Sequence, residues 1–354
     1  MGRHPLASIA VIGAGIAGLT VAAELATVGH RVSLFDKSHG PGGRCATRRS
    51  VVGAFDHGAP GFGATTAAFH AQAAAWRKAG WVSGDGTSAA MAASNAAWRL
   101  SPSPIYGVPS MNALALQLAA ELPATVALCT DSHVTAIEPS AADAGWQLRL
   151  SHGTAHPSRF DAVVVAVPAE QAAMLLAPDA MLAEAMRGIR SDPCWTLMAA
   201  WARPLPAVLE ASGLSSDPRG VLSLVRREEA SAGRTIVDDI ASRWVLHATP
   251  QWTLQHLEAQ AETVIAKLLD AFEGIAGANL QAPVHAVAHR WRYAQVPSPC
   301  TEPFGWNEAL RLGACGDAWH ARGDPGSAAP GGIERAWLSG RSLAQQMCRA
   351  LSPD

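Results

Sequence analysis

The stretch IAVIGAGIAGL at residues 9–19 constrains the fold more strongly than any other part of the chain. A short run rich in Ile and Val precedes glycines at positions 13, 15 and 18, and the helical pattern LTVAAELATVGH follows them. Together they predict a strand, a tight turn and a helix. The next apolar segment, RVSLFD, predicts a second buried strand that ends at Asp36, about 20 residues beyond the glycines. The sequence therefore predicts a complete βαβ unit for binding a dinucleotide.

Each glycine of this motif has a separate predicted role. Gly13 permits the tight turn, Gly15 lets the backbone approach a pyrophosphate, and Gly18 lets the helix lie close to the strand. The N-terminus of the helix that follows can hold the anion, and Ile16 and Ala17 are predicted to be among the residues that contact the cofactor. The alternative is a tight turn with a purely structural role.

The loop after the second strand distinguishes FAD from NAD. The segment KSHGPGGRCATRR begins at Lys37, brings the backbone close to a ligand at Gly43, and places Arg44 beside it to bind phosphate. Arg48 and Arg49 either bind phosphate as well or belong to a solvated basic loop. A plain NAD domain does not need such a loop, so it favours FAD.

The C-terminal region supports the same choice. LRLGACGDAWH predicts a short strand that ends at Gly316 and Asp317, and Gly331 and Gly332 open a segment with apolar residues at helical spacing. A carboxylate at a strand end can bind a polyol, and a helix N-terminus can stabilise negative charge on a nearby ring. These are the needs of the ribityl chain and the reduced ring of flavin, so we expect a resident, non-covalent FAD.

The composition predicts a soluble protein with a small-molecule ligand. A chain of 354 residues with 49% hydrophobic and 16% charged residues can bury a large core, and two interlocked domains are expected. A formal net charge of -2 gives no field that attracts nucleic acid. The six cysteines contain no CxxC pair, so we expect no metal site, no disulfide framework and a reduced, cytoplasmic setting. No segment is both long and uncharged enough to predict a membrane span.

Seven short segments together carry a resemblance to a known family: GAGIAGL, GPGGR, FDHGA, VVVAVPA, WVLHA, HRWRYAQVP and GACGD. Together they resemble the renalase family, especially its bacterial members, within the amine-oxidase-like flavoproteins. The resemblance spans nearly the whole chain, and FDHGA, WVLHA and HRWRYAQVP are its most specific segments. It implies an oxidase for dihydronicotinamide dinucleotides reduced at the wrong ring carbon, the 2- or 6-dihydro forms of NAD(P). Hydride would pass to the flavin and then to O2, giving NAD(P)+ and hydrogen peroxide.

The resemblance also implies a residue for each part of FAD. The implied contacts are Gly13, Gly15 and Gly18 with the pyrophosphate, Asp36 with the adenosine ribose, Gly43 and Arg44 with the phosphate and flavin side, the backbone of Val134 with adenine, Asp317 with the ribityl chain, Gly332 and Ile333 with the pyrimidine ring, and His57, Gly58 and Ala59 with the isoalloxazine.

On the substrate side, the resemblance places His247 where it faces the flavin and the substrate and orients a group by a hydrogen bond. A structural histidine is the alternative. Trp291 and Tyr293, which alternate with Arg290 and Arg292, suit an aromatic wall beside an anionic ligand, or are simply one face of a strand. Tyr106 is a further predicted pocket residue.

The chain departs from the family pattern at two places. Pro60 and Gly61 follow FDHGA, where the family commonly has Gln and an aromatic residue. Arg335 stands in the last helix where Gly is usual. Pro60 and Gly61 are therefore predicted to line the substrate pocket, and both departures touch the active-site side.

The resemblance implies a Rossmann-like α/β fold of the glutathione-reductase and amine-oxidase type, interleaved with an α+β substrate domain. We expect residues 1–60, 108–170 and 305–354 to form the FAD-binding domain. Residues 61–107 and 171–304 would form the substrate domain, a sheet over the flavin with a helical flank.

Three other functions remain open at this point. A flavin amine oxidase or desaturase shares the cofactor site and differs only in the pocket. An NAD-dependent dehydrogenase would not need Asp317 or Gly332, and a non-catalytic FAD-binding protein would bind flavin without reacting.

Overall fold

The structure is a computed structural model that describes residues 7–84, 104–140, 145–206, 217, 219–231, 233–320, 324 and 329–351. The strands in these residues are β1 (Ser8–Ile12), β2 (Arg31–Phe35), β3 (Arg48–Ser50), β4 (Gly53–Phe55), β5 (Val82–Ser83), β6 (Tyr106–Gly107), β7 (Val126–Cys129), β8 (Val134–Pro139), β9 (Trp146–Leu150), β10 (Ala155–Phe160), β11 (Ala162–Val165), β12 (Asp192–Trp201), β13 (Leu222–Arg227), β14 (Ser242–Ala248), β15 (His285–Gln295), β16 (Gly305–Asn307) and β17 (Leu312–Ala314). The helices are α1 (Ile16–Thr27), α2 (Ala67–Lys78), α3 (Met111–Ala120), α4 (Ala169–Leu175), α5 (Ala180–Arg187), α6 (Pro250–Gln255), α7 (Ala261–Ala276) and α8 (Gly332–Leu351). Among the helices of these residues, none is long and apolar enough to cross a bilayer.

A six-stranded sheet in the order β16-β17-β11-β1-β2-β7 forms the first unit. Strand β1 runs parallel to both β2 and β11, and only β16 in this sheet is antiparallel to its neighbour. The unit β1-α1-β2 lies where the glycine motif predicts it. The predicted Rossmann-like α/β fold is therefore confirmed.

Alternation along β1 builds a core on each face of this sheet. Ile9 and Val11 pack with α1 and α8, whereas Ala10 and Ile12 pack towards the antiparallel sheet β10-β9-β8 and helices α4 and α5. All four side chains are almost fully buried. A side chain at Gly340 would place its Cβ 2.6 Å from the backbone oxygen of Ala17, so the glycine allows α8 to cross α1 closely.

An antiparallel sheet in the order β13-β14-β12-β15 forms the second unit. The odd-numbered residues of β12, such as Leu197 and Trp201, pack with Leu268 and Phe272 of α7. The even-numbered residues, such as Met198, face the opposite side, where they pack with Phe55 of β4. One face of this sheet is therefore covered by a helix, and the other is directed towards the first unit.

Helices α4 and α5 differ from the expected division at residue 170. Their buried side chains, including Leu175 and Met186, share a core with β1, β11 and the three-stranded sheet. By packing, residues 171–190 adjoin the first unit, because their apolar faces find partners there. The division into a cofactor domain and a substrate domain otherwise stays a prediction.

Candidate active site

A cavity of about 2210 Å³ lies at the carboxyl edge of the six-stranded sheet, between that edge and the four-stranded sheet. The ends of β1, β2, β11 and β17 contribute Ile12, Phe35, Ala166 and Gly316 to its wall. A pocket for one ligand commonly has about 300–1,000 Å³. The cavity therefore has room for a dinucleotide and a second ligand.

The glycine-rich turn shows two kinds of glycine. A Cβ at Gly13 would lie 2.5 Å from the backbone oxygen of Ala166, and one at Gly18 would lie 1.9 Å from the oxygen of Gly13. Gly15, by contrast, has no neighbouring atom within 4 Å of its Cβ position and lines the cavity, and no described side chain caps the helix N-terminus there. Gly18 does not line the cavity, so its predicted contact with the ligand is replaced by helix packing.

Asp36 follows β2 directly and lines the cavity. Its carboxylate accepts hydrogen bonds from the backbone N–H groups of Ala14 and Ser38, both at 2.8 Å. These bonds hold the carboxylate beside the glycine-rich turn. Lys37 and Val134 line the same region.

Arg44 and Asp317 meet in the middle of the cavity wall. The two guanidinium nitrogens donate to the two carboxylate oxygens at 2.8 and 2.6 Å, which is a bidentate ion pair. Gly43 approaches the glycine-rich turn, with its Cβ position 3.7 Å from the Cα of Gly15. The sequence separation of 273 residues between Arg44 and Asp317 shows how the two ends of the chain build one site.

Helix α8 begins at Gly332, beside this ion pair. Its first turn is fixed by Glu334, which is fully buried and accepts hydrogen bonds from the backbone N–H and side-chain hydroxyl groups of Thr65 and Thr66 at 2.7–3.1 Å. The N-terminus of α8 is thereby held at the cavity, where Gly332 and Ile333 form part of the wall.

We name this part of the wall the cofactor cradle; it consists of residues 13, 15–17, 36–37, 42–44, 134, 316–317 and 331–333. Added Cβ atoms at Gly15, Gly316 and Gly331 would meet no atom within 4 Å, so the backbone there is open to a ligand. The described wall of the whole cavity carries five Lys or Arg residues and two carboxylates. Open N–H groups, two helix N-termini and excess positive charge fit the pyrophosphate and ring of FAD.

The four-stranded sheet presents a row of side chains to the other side of the cavity. His247 of β14 and His289 of β15 both pair in register with Thr196 of β12, and Trp291 pairs with Cys194. His247, His289, Trp291 and Cys194 line the cavity. The order of strands therefore brings together residues that are far apart in the sequence.

His57 connects this row to the first unit. Its backbone oxygen accepts a hydrogen bond from the indole N–H of Trp291 at 2.9 Å. Its ring centroid lies 4.9 Å from that of His289 and 5.1 Å from that of Trp291. We name His57, His247, His289 and Trp291 the imidazole face.

The imidazole face is electrically neutral at neutral pH. Burial, with smaller contributions from His289 and Arg48, lowers the pKa of His57 to about 3. Burial, with His57 and Arg226 acting in the same direction, also lowers the pKa of His247 to about 3. The pKa of His289 is lowered by burial and by Arg48. Within the described residues, the carboxylates that line the cavity are Asp36 and Asp317, which belong to the cofactor cradle.

Comparison with known proteins identifies the family. A sequence profile of the NAD(P)-binding Rossmann-like domain matches residues 11–77. The profile described as flavin containing amine oxidoreductase matches residues 61–348, most of the chain. The chain belongs to the flavin-containing amine oxidoreductase family. It is an FAD-dependent oxidoreductase.

Solved structures of other proteins share this fold. A protein named as a protoporphyrinogen oxidase from Exiguobacterium superposes with a TM-score of 0.70 at 15% identity, covering 98% of this chain and 99% of the other. Putrescine oxidase, in a structure with bound putrescine, superposes with a TM-score of 0.65 at 12% identity, covering 98% and 99%. At these identities the likeness shows the shared fold.

Most of the predicted site residues of this amine oxidoreductase line the cavity, but Tyr106 does not. A Cβ at Gly61, where φ is +151°, would lie 3.0 Å from the Tyr106 ring. The ring therefore packs behind Gly61, where it lies 4.9 Å from the guanidinium carbon of Arg226. Pro60, Gly61, Trp291 and Tyr293 do line the cavity. Gly58 lines the cavity too. A Cβ at this position would lie 2.1 Å from the backbone oxygen of Arg44, so a residue with a side chain does not fit there.

Several cavity residues of this oxidoreductase are absent from the sequence-based site. His289 could have been found from the strand pattern, because it alternates with Trp291 and Tyr293 on one face of β15. Cys194 gives no such signal, since its place follows from the pairing of β12 with β15. The described residues contain no group of three or more His, Cys, Asp or Glu arranged to hold a metal.

Proposed function

We propose that this FAD-dependent oxidoreductase oxidises dihydronicotinamide dinucleotides that are reduced at the 2- or 6-position. The products would be NAD+ or NADP+ and, with O2 as the final acceptor, hydrogen peroxide. The bound FAD supplies a hydride acceptor that O2 can reoxidise. The observation that carries the proposal is the neutral imidazole face opposite the cofactor cradle.

A dihydronicotinamide ring already carries the hydride that it transfers, so its oxidation requires no proton abstraction. A protein base works best when its pKa lies near the working pH. His57 and His247, each with a pKa of about 3, are too weakly basic for that role at neutral pH. An amine is mostly protonated at neutral pH and must lose a proton before oxidation. The face is therefore better suited to a neutral ring than to a protonated amine.

The imidazole face can position such a ring. His247 is only 1% exposed and His57 only 7%, so both rings are held by packing. Neutral imidazoles can donate and accept hydrogen bonds to a carboxamide, and the Trp291 ring offers a flat apolar surface. In this role His247 orients the substrate and does not take its proton.

Two arginines on the face of β15 opposite to His289 and Trp291 also line the cavity and suit the phosphates of a dinucleotide. Arg290 donates to Glu258 at 2.8 Å, and Arg292 donates to the same carboxylate at 2.7 and 2.9 Å. One carboxylate thus faces two guanidinium groups, which leaves a net positive charge. Both arginines line the cavity, so an anionic substrate can interact with them.

Anaerobic stopped-flow mixing of the purified flavoprotein with 2- or 6-dihydroNAD(P) tests the proposal. We expect rapid bleaching of the flavin absorbance, with ordinary NADH and a panel of amines giving little or none. Arg292→Gln should weaken the apparent binding of the isomers, whereas Arg203→Gln, an exposed arginine that bonds Gln281, serves as the matched control. Failure of both isomers to bleach a fully loaded protein would contradict the proposal.

Amine oxidation is the second candidate, and the family match favours it. In that case an amine from the panel would bleach the flavin, and the rate would rise with pH as the amine loses its proton. The same experiment therefore separates the two candidates.

A further inference from the structure

Arg335 is a cation in the cavity wall that the cofactor contacts assigned above do not use. It lies one turn into α8, three residues after Gly332, and lines the cavity. Its Nη2 donates to the backbone oxygen of Val296 at 2.8 Å. Its Nε is buried and makes no hydrogen bond within the part of the chain that the structure describes.

The charges around Arg335 do not balance without a ligand. Asp317 is the carboxylate that acts on it, but both oxygens of Asp317 already accept hydrogen bonds from Arg44. Burial lowers the pKa of Arg335, Asp317 raises it, and Arg44 lowers it again. A guanidinium nevertheless stays charged in proteins. Two cations therefore share one carboxylate beside the N-terminus of α8, and a buried cation without its own partner is costly.

We infer that Arg335 stabilises the negative charge that the pyrimidine side of the flavin ring gains when the ring is reduced. The inference rests on FAD binding at the cradle and not on the identity of the hydride donor. The predicted partners of the pyrophosphate are the N-terminal N–H groups of α1 and Arg44, whose guanidinium is already held by Asp317. Arg335 lies on α8, whose first N–H groups are proposed to face the pyrimidine ring, so its charge adds to the dipole of that helix.

Arg335 is held in a fixed position, as this role requires. Its guanidinium donates a hydrogen bond to the backbone oxygen of Val296. The first turn of α8 is fixed by the hydrogen bonds that Glu334 accepts from Thr65 and Thr66. A charge held in place before reduction costs no reorganisation when the ring becomes negative. Arg335 therefore acts on the flavin as a fixed positive charge.

Sulfite affinity tests the inference without turnover. Sulfite adds its electron pair to N5 of oxidised flavin and forms an N–S bond, and the displaced pair moves to the pyrimidine side as negative charge. The dissociation constant, read from the loss of flavin absorbance, should rise at least about tenfold in Arg335→Gln. Arg335→Lys, which keeps the charge, should lie closer to the parent. Arg341→Gln is the matched control, because Arg341 is on the same helix but packs over Trp337 outside the cavity wall.

The amount of bound FAD is measured in the same samples. Unchanged sulfite affinity in Arg335→Gln with full FAD content would overturn the inference. So would a loss of FAD with unchanged affinity in the loaded fraction, since that result assigns Arg335 to cofactor retention. If Arg335→Gln does not fold, Arg335→Met is measured in the same way. A sulfite dissociation constant at least about tenfold above that of the parent is expected, and the parental value would overturn the inference.

Discussion

At the scale of single residues, Asp36 has two tasks. Its carboxylate accepts hydrogen bonds from the N–H groups of Ala14 and Ser38, and it also lines the cavity. It thus shapes the glycine-rich turn and remains available to a ribose hydroxyl. The affinity for FAD is expected to depend on both effects.

Asp36→Ala should weaken FAD binding by about 1.5–3 kcal/mol, or roughly ten- to hundredfold, because hydrogen bonds to a charged group are lost. The measurement is a fluorescence titration of the deflavinated protein with FAD. Asp131→Asn is a suitable control, since Asp131 is a nearby exposed aspartate with φ of 53°, a conformation that Asn tolerates. Equal FAD affinity in Asp36→Ala and the parent would exclude the ribose assignment.

His247→Gln should slow anaerobic flavin reduction by at least about tenfold while FAD stays bound, because the substrate loses an orienting group. Stopped-flow absorbance gives the rate and the flavin spectrum gives the FAD content. His285→Gln is the matched control, since His285 lies on β15 but stacks on Phe55 away from the cavity wall. If His247→Gln reduces at the parental rate, the histidine has a structural role.

Residues whose roles depend on local backbone could be predicted from the sequence. Gly13 lies in the tight turn, with φ of +108°, and Gly15 is open to the cavity, because the turn between a strand and a helix fixes both positions. The position of Tyr106, whose ring packs behind Gly61 and does not line the cavity, could not be predicted in this way. Such tertiary packing leaves no trace in local spacing.

At the scale of elements, a buried charge network links β4 to β13 and to the loop after it. Asp56, between Phe55 and His57, contacts Arg234 directly and lies 3.8 Å from Arg226. Glu228 accepts a hydrogen bond from the backbone of Asp56 at 3.0 Å and lies 3.3 Å from Arg234. These four charged side chains are at most 4% exposed. The network holds the segment that carries His57 against the four-stranded sheet.

Asp56→Asn should lower the free energy of unfolding by about 3 kcal/mol, because the buried Arg234 then loses one of its two carboxylate partners. The midpoint of urea unfolding measures the change. Glu138→Gln provides the comparison, since its exposed pair with Arg149 should contribute little. A midpoint for Asp56→Asn as close to the parent as that of Glu138→Gln would refute the structural role of the network.

Periodicity predicts elements better than it predicts which unit they join. The strand, turn and helix at residues 8–35 and the start of α8 agree with the sequence pattern. The placement of α4 and α5 with the first unit was not predicted, because an amphipathic helix does not specify the apolar surface it will cover. The buried network was also missed, since its charged residues resemble a solvated loop in the sequence.

At the scale of the whole molecule, buried neutral histidines make stability depend on pH. His57 and His247 have a pKa of about 3 in the folded state, against 6.5 as the ordinary value. Below pH 6.5 the unfolded chain takes up protons that the folded chain does not. Each histidine therefore lowers the free energy of unfolding as the pH falls from 6.5 towards 3. Burial raises the pKa of Glu228, which acts in the opposite direction as the pH falls.

His247→Gln isolates the contribution of one histidine. Below about pH 6, the free energy of unfolding of the parent should fall more steeply than that of the variant as the pH is lowered. The difference should be up to about 1.4 kcal/mol per pH unit. Urea unfolding of both proteins at several pH values gives the two slopes. Equal slopes of the free energy of unfolding against pH in the two proteins would mean that His247 has its ordinary pKa in the folded protein.

The whole-molecule assignment to an FAD oxidoreductase was predictable, because both ends of the chain carry recognisable pieces of one site. The pairing of Arg44 with Asp317 shows how these pieces meet. The substrate side was less predictable. His57, His247 and His289 come together only through loop placement and strand order, and their low pKa values follow from burial.

Whether a substrate held at the imidazole face gives its hydride to the flavin without the help of a protein base is tested most directly by one measurement. It is the pH dependence of the limiting rate of anaerobic flavin reduction by 6-dihydroNAD(P), between about pH 6 and 9. A hydride donor against neutral histidines predicts a rate that is constant over this range. A rate that rises about tenfold per pH unit through part of the range would show that a proton must first be lost, and would contradict the proposal.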